Sequence, residues 1–242
     1  MNKEIQKLTW MQFRAALDGG IRTVILPIGT VEAHGATVLG TDNLIPESIA
    51  SYLAEQIDAL IAPTINYGIT KSLYGYPGSL TVTPETFGQY VRDVLDSLAD
   101  AGFERVIVLN GHGGNDSVLK DVAYNYFYDS GVKIAVIQWW ELCEDVTNEV
   151  FGETGGHAGI DETAMMQAID NSLADKSQFN KDLVYTFNPA AYVYPIPGSI
   201  LLYKDGEGIP DFDSSRAKDF QKKVFEKVSE FVKFVLDRWD LI

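Results

Sequence analysis

The sequence predicts a layered α/β fold with a mostly parallel central sheet. Three observations carry this. Strand-like apolar runs alternate with segments of helical spacing, the order that builds parallel sheets flanked by helices. Two of those runs, RTVILPI (Arg22 to Ile28) and RVIVLN (Arg105 to Asn110), are apolar almost throughout instead of alternating, as strands covered on both faces must be. The glycine-rich polar stretches follow predicted strands, where layered α/β proteins keep their ligand-binding loops.

The elements follow in order. Thr9 precedes WMQFRAAL as an N-cap, and the helix it starts is expected to end near Gly19-Gly20. Arg22 to Ile28 is the first strand. Leu44 to Leu60 carries apolar residues at 45, 49, 53, 57 and 60, with Pro46 suited to a first turn, and predicts a helix. Ile61 to Ile69 (IAPTINYGI) predicts a second strand. Lys71 to Pro84 (KSLYGYPGSLTVTP) reads as a long ordered loop. Pro84-Glu85 opens a helix to about Asp100, closed by Gly102. The strand Arg105 to Asn110 runs into GHGGN, then a helix from Asp116 to Tyr128 and a fourth strand from Val132 to Trp139. GGHAG (155–159) precedes a helix from Asp161 to about Asn171. Val184 to Ile209 mixes aromatics with Gly and Pro breaks and reads as irregular, with room for a short strand pair. Phe220 to Trp239 is a closing helix with apolar residues at 224, 228, 231, 235 and 239. The chain shows no repeat, linker or low-complexity tract, and residues 1–242 are read as one domain.

Composition narrows the function. Apolar residues are 46% of 242, enough for a sizeable core, which excludes a disordered chain. A net charge of -15 opposes nucleic acid and anionic membrane surfaces as partners. No run approaches the roughly 20 apolar residues of a membrane helix. MNKEIQKLTW lacks the apolar core of a signal peptide, and the single Cys143 allows no intrachain disulfide, so a cytoplasmic location is expected. Cys143 itself reads as a small buried hydrophobe.

The chemistry concentrates in three loops. LPIGTVEAHGATVLGTD (26–42) starts as a strand, breaks at Gly29, and delivers Glu32, His34 and Asp42 in one short loop. Residues i and i+2 of an extended backbone point the same way, so Glu32 and His34 converge, and a carboxylate and imidazole at this spacing suit a metal. The second loop offers His112 and the third His157, with Asp161 or Glu162 about a helical turn on; spacing does not choose between those two carboxylates. All three histidines of the chain, and none elsewhere, lie in glycine-flanked loops, which favours a metal site over isolated core histidines. Tyr74, Tyr76, Trp139, Trp140 and Glu141 are candidates for substrate contact, and aromatics at a strand end suit a planar ring; core or interface packing is an equally good reading. Ser79 and Thr81 are polar candidates of the same standing.

GTVEAHGATVLGTD, NGHGGN and GGHAGIDET together resemble the three signature segments of the creatininase (creatinine amidohydrolase) family, in order and spacing from Leu26 to about Met166, and YPGSLTVTPETF resembles a fourth. The resemblance implies a three-layer α/β/α fold with a mostly parallel central sheet and a binuclear metal hydrolase using two divalent ions (Zn, Mn or Fe). It acts on a small-molecule cyclic amide, formamide or related C–N bond through a hydroxide shared by the ions, and is expected as a homo-oligomer, a hexamer in the family pattern. By the same resemblance Glu32 and His112 hold one metal, His34 the other, and Asp42 bridges. Glu162 completes the second site and takes part in the chemistry, and His157 transfers the proton. A backbone N–H of Gly113 or Gly114 is expected to steady the developing oxyanion. The chain departs from the family loop EQHGPHLPLGTD: Thr37 replaces a histidine, the loop is one residue shorter, and Gly114 stands where creatininase proper has a ligating carboxylate. These departures direct the reading toward other members: deformylases of formylamino-pyrimidine nucleotides, hydrolases of inosose and cyclic-ketone rings, or a peptide-trimming branch. The alternative of another class is a non-catalytic sugar-phosphate or nucleotide binder using NGHGGN at a helix N-terminus. That alternative leaves Glu32, Asp42 and Glu162 unexplained.

Overall fold

The computed structural model describes residues 1–242. In chain order the elements are α1 (Trp10–Asp18), β1 (Thr23–Ile28), α2 (Thr41–Gln56), β2 (Ala59–Ile61), α3 (Pro84–Asp100), β3 (Arg105–Asn110), α4 (Asp116–Ser130), β4 (Lys133–Gln138), α5 (Trp139–Leu142), α6 (Glu144–Phe151), β5 (Gly156–His157), α7 (Ile160–Ile169), β6 (Val184–Thr186), β7 (Ile200–Leu202) and α8 (Ser214–Trp239). The central sheet has the order β2-β1-β3-β4, and every pair in it is parallel. A second, small sheet has the order β5-β7-β6.

The three layers follow from side-chain alternation along the strands. Val24, Leu26, Ile28, Val106 and Val108 point to one face and join a core with α1, α3 and α4. Ile25, Ile107, Leu109 and Ile137 point to the other and join α2, α7 and α8. All six residues of β1 are buried, as its unbroken apolar run requires. α7 is buried along nearly its whole length because it lies between α2 and α8. No helix is long and apolar enough to cross a membrane.

Several boundaries differ from the sequence expectation. α2 begins at Thr41 instead of Leu44, so Asp42 sits in its first turn and not in the loop. That helix stops at Gln56, and the second strand is Ala59–Ile61, earlier and shorter than the expected Ile61 to Ile69. Pro63 lacks the N–H a ladder needs, so beyond Ala62 the chain keeps one bridge, Ile28 with Ile65. β4 ends at Gln138, and the expected loop after it is largely helical, as α5 and α6. The irregular 184–209 stretch does hold a strand pair, β6 and β7, in parallel. α8 starts six residues before Phe220 because Asp213 caps it, its carboxylate accepting the Ser215 and Arg216 N–H groups.

Candidate metal centre

The C-terminal ends of β1 and β3 deliver the first groups. Glu32 and His34 follow β1, His112 follows β3, Asp42 lies in the first turn of α2, His157 ends β5, and Glu162 lies in the first turn of α7. Two glycines make this convergence possible. A Cβ on Gly29 would stand 2.2 Å from the Asp42 carbonyl oxygen, and one on Gly111 would stand 2.0 Å from it. Bare backbone at both strand ends lets the start of α2 settle against the sheet edge, and Asp42 comes with it.

Each imidazole is tethered on one side by a backbone carbonyl. His34 Nδ1 lies 3.1 Å from the Glu32 oxygen, His112 Nε2 2.9 Å from the Ile69 oxygen, and His157 Nε2 2.8 Å from the Ala33 oxygen. A carbonyl only accepts, so the tethered nitrogen is the donor, and the other nitrogen of each ring faces the carboxylates. His34 Nε2 is 2.8 Å from Asp42 Oδ1 and 3.6 Å from Glu162 Oε2. His112 Nδ1 is 2.9 Å from Asp42 Oδ2 and 3.2 Å from Glu32 Oε1. His157 Nδ1 is 3.4 Å from Glu32 Oε1, and its ring lies 4.2 Å from that of His34.

Two ligand triads result, with donor atoms within 4.8 Å of one another: Glu32, Asp42 and His112, and His34, Asp42 and Glu162. Asp42 belongs to both. A third set at the same spacing is Glu32, His34 and His157. Asp161 and Glu162, left open by spacing, separate in α7. Glu162 reaches His34, whereas Asp161 turns back to accept the Gly156 N–H at 3.0 Å.

The electrostatics suit cations. Burial opposes a charge on His34, yet Asp42, Glu162 and Glu32 push its imidazole up to about 10. Burial likewise opposes a charge on His112, and Glu32 and Asp42 overcome it and raise its pKa well above the ordinary value. Burial works against Asp42 ionising, but His34 and His112 hold it below the carboxylate range. Burial raises Glu162 well above its usual value, with Asp42 and Asp161 adding to the effect against His34. Burial, helped by His34, lowers His157 to about 4. Glu32 Oε2, His34 Nε2 and Asp42 Oδ2 are buried without an aligned hydrogen-bond partner. Buried polar atoms without partners are costly, and divalent ions held among these side chains would satisfy all three. Imidazole and carboxylate donors without a thiol fit Zn, Mn or Fe.

Glu32, Asp42, His112, His157 and Glu162 line a cavity of about 560 Å³, while His34 is buried away from it. Gly113, Gly114, Trp140 and Glu141 line it as the sequence suggests. Three other candidate contacts do not. Trp139 is 1% exposed and sits in the core, because the chain turns into α5 there and carries its indole inward. Ser79 is buried, and its hydroxyl accepts the Ala33 N–H at 3.1 Å, so it braces the first loop. Tyr74 stands exposed outside the cavity wall, while Ser72 and Leu73 line it. Of the weaker candidates, Tyr76 donates to the Ile196 carbonyl and Thr81 accepts the Thr70 N–H. Phe187, Tyr203 and Lys204 also line the wall, and the aromatic-rich composition of their segment is the sequence signal for them.

Residues 6–219 match the family model Creatininase, described as creatinine amidohydrolase. The creatinine amidohydrolase of Pseudomonas putida is 29% identical over 213 residues, 79% of this chain and 81% of that protein. The 3-dehydro-scyllo-inosose hydrolase of Thermotoga maritima is 32% identical over 110 residues, 45% of this chain and 35% of its own length. A solved mutant creatininase described as Zn-Zn type overlays with a TM-score of 0.81 at 24% identity, covering 96% of this chain and 98% of that one, a likeness of fold. With fold, ligand cluster and most of the sequence in agreement, this chain belongs to the creatininase (creatinine amidohydrolase) family.

Proposed function

We propose that the chain is a binuclear metal-dependent hydrolase that cleaves a C–N bond in a small cyclic amide or formamide. The observation that carries this reading is the sharing of Asp42 between two triads of buried donors. Glu32, Asp42 and His112 would hold one divalent ion, and His34, Asp42 and Glu162 the second. When bound, such ions supply Lewis acidity and bring the pKa of a water toward neutrality.

The chain's own residues do the rest. His157 donates Nε2–H to the Ala33 carbonyl, which leaves the Nδ1 lone pair facing Glu32 beside the cavity. From there it accepts the proton of the attacking water and returns it to the leaving nitrogen. Peptide N–H groups at Gly113 and Gly114 are the donors for the carbonyl oxygen as charge grows on it. Trp140, Phe187 and Tyr203 offer ring faces to a planar substrate in a cavity of small-molecule size.

A second reading keeps the centre and changes the substrate to an inosose or other cyclic ketone, and the likeness to the Thermotoga protein favours it over a formylamino-pyrimidine nucleotide. A phosphate-binding role without catalysis is disfavoured, because buried carboxylates surround the histidines. The homo-oligomer implied by the family is part of the proposal and is read by light scattering.

The test is elemental analysis of the purified protein, followed by assays of cyclic amides, formamides and cyclic ketones with Mn, Zn and Fe. The reading expects about two ions per chain and turnover of a C–N substrate. Protein that takes up no divalent metal sinks it, and turnover of ketones alone selects the second reading.

A further inference from the structure

Asn115 touches neither triad, yet its side chain is fully buried and joins three segments behind the centre. Its Oδ1 accepts the Ile69 N–H at 3.0 Å, and its Nδ2 donates to the Gly29 carbonyl at 3.2 Å and lies 3.4 Å from Asn110 Oδ1. Asn110 in turn accepts the His112 N–H at 3.1 Å and donates to the His112 carbonyl at 2.8 Å. The Ile69 carbonyl receives His112 Nε2 at 2.9 Å. Ile69 is therefore held at its N–H by Asn115, and it holds the imidazole through its carbonyl in the next peptide along the chain.

The backbone around this tether is cut to fit it. A Cβ on Gly68 would stand 2.5 Å from Asn115 Oδ1. One on Gly114 would stand 2.2 Å from the Ile69 oxygen and 2.4 Å from His112 Nε2. Neither glycine has positive φ, so neither is required by backbone conformation. Both are required by the close approach of Ile69 to Asn115 and His112.

We propose that Asn115 is a positioning residue for one half of the metal centre. It fixes the Ile69 carbonyl that selects the Nε2–H tautomer of His112 and so presents Nδ1 to Glu32 and Asp42. The inference rests on the binuclear reading and adds an asymmetry to it. His34 takes its tether from the Glu32 carbonyl inside its own loop, so the second triad's imidazole is not held through Ile69 and Asn115.

The test uses the whole chain stripped of metal and titrated with Zn²⁺, comparing wild type, Asn115→Ala, Asn115→Asp and Gly114→Ala. Asn115→Asp places an oxygen against the Gly29 and Asn110 oxygens. Gly114→Ala breaks the same tether from the solvent side if the Asn115 variants fail to fold. Leu119→Ala, a buried core change on α4, is the control for general destabilisation. The expected result is a weakening of one of two sites by about 10–100-fold, the usual cost of losing a partner behind a ligand, with the other site nearly unchanged. Nitrogen-correlated NMR of the Zn-loaded protein should show the His112 Nε2–H resonance lost or rapidly exchanging in the variants and intact in Leu119→Ala. Equal weakening of both sites, or two unchanged sites with an intact resonance, overturns the inference and leaves the binuclear reading standing. A wild type that binds fewer than two ions overturns both.

Discussion

Gly111→Ala tests whether strand-end glycines set the metal centre. The added Cβ would stand 2.0 Å from the Asp42 carbonyl oxygen, 2.9 Å from its carbon and 3.0 Å from Pro46 Cδ. Relief requires the start of α2 to retreat by roughly 1 Å, and overpacking of this kind costs about 1–3 kcal/mol. For a chain of this size 1 kcal/mol shifts Tm by about 2–4 °C, so a fall of about 2–12 °C is expected. The larger effect is on Asp42, which moves with the helix and belongs to both triads. A misplacement of about 1 Å is enough to cost about 10²-fold in rate. Calorimetry reads the first effect, and Zn²⁺ titration together with turnover of the loaded protein reads the second. Gly40→Ala is the control: it also lies at the start of α2, but its Cβ would meet only Leu44 Cδ1 at 3.9 Å. If Gly111→Ala matches Gly40→Ala in both melting and metal uptake, the close approach does not position Asp42 and the reasoning fails.

Other outcomes follow from the same geometry. His157→Ala should retain metal while kcat falls by about 10²–10⁴-fold, the range for a lost proton-transfer group; loss of metal instead would make it a ligand. Trp139→Ala should cost about 3–5 kcal/mol in urea unfolding as a core deletion. Trp140→Ala, at a half-buried ring on the edge of that core, should cost less stability than Trp139→Ala and raise KM, and the opposite ranking would exchange their roles. Burial, aided by Asp145 against Lys227, pushes the Cys143 thiol up to about 12. Above about pH 9 the unfolded chain releases this proton while the folded chain keeps it. Stability present below that pH is therefore lost toward pH 12, by at most about 1.4 kcal/mol per unit. Cys143→Ala should remove that component of the slope between pH 8 and pH 10, and an identical slope in both proteins refutes it.

The residues of the centre were more legible in the sequence than the walls around it. Glu32 and His34 are two apart, and His112 and His157 stand in glycine-flanked stretches, so local spacing reports them. The choice of Glu162 over Asp161 was not local. It depends on α7 lying between α2 and α8, which turns one carboxylate to His34 and the other to Gly156. The aromatic wall was harder still, because Tyr203 and Phe187 reach the cavity through the pairing of β7 with β5 and β6, set by contacts across tens of residues. Trp139 and Trp140 show the limit of a one-residue ambiguity. The fourth strand ends at Gln138, and the turn into α5 sends adjacent indoles to the core and to the cavity. The 26–42 stretch reads as one loop through Asp42, whereas Asp42 lies in the first turn of α2.

Anomalous scattering from crystals of the Zn- or Mn-loaded protein tests the central claim most directly. The account predicts two peaks, one beside Glu32 and His112 and one beside His34 and Glu162, with the Asp42 carboxylate between them. A single peak, or two peaks that leave Asp42 outside, would contradict it.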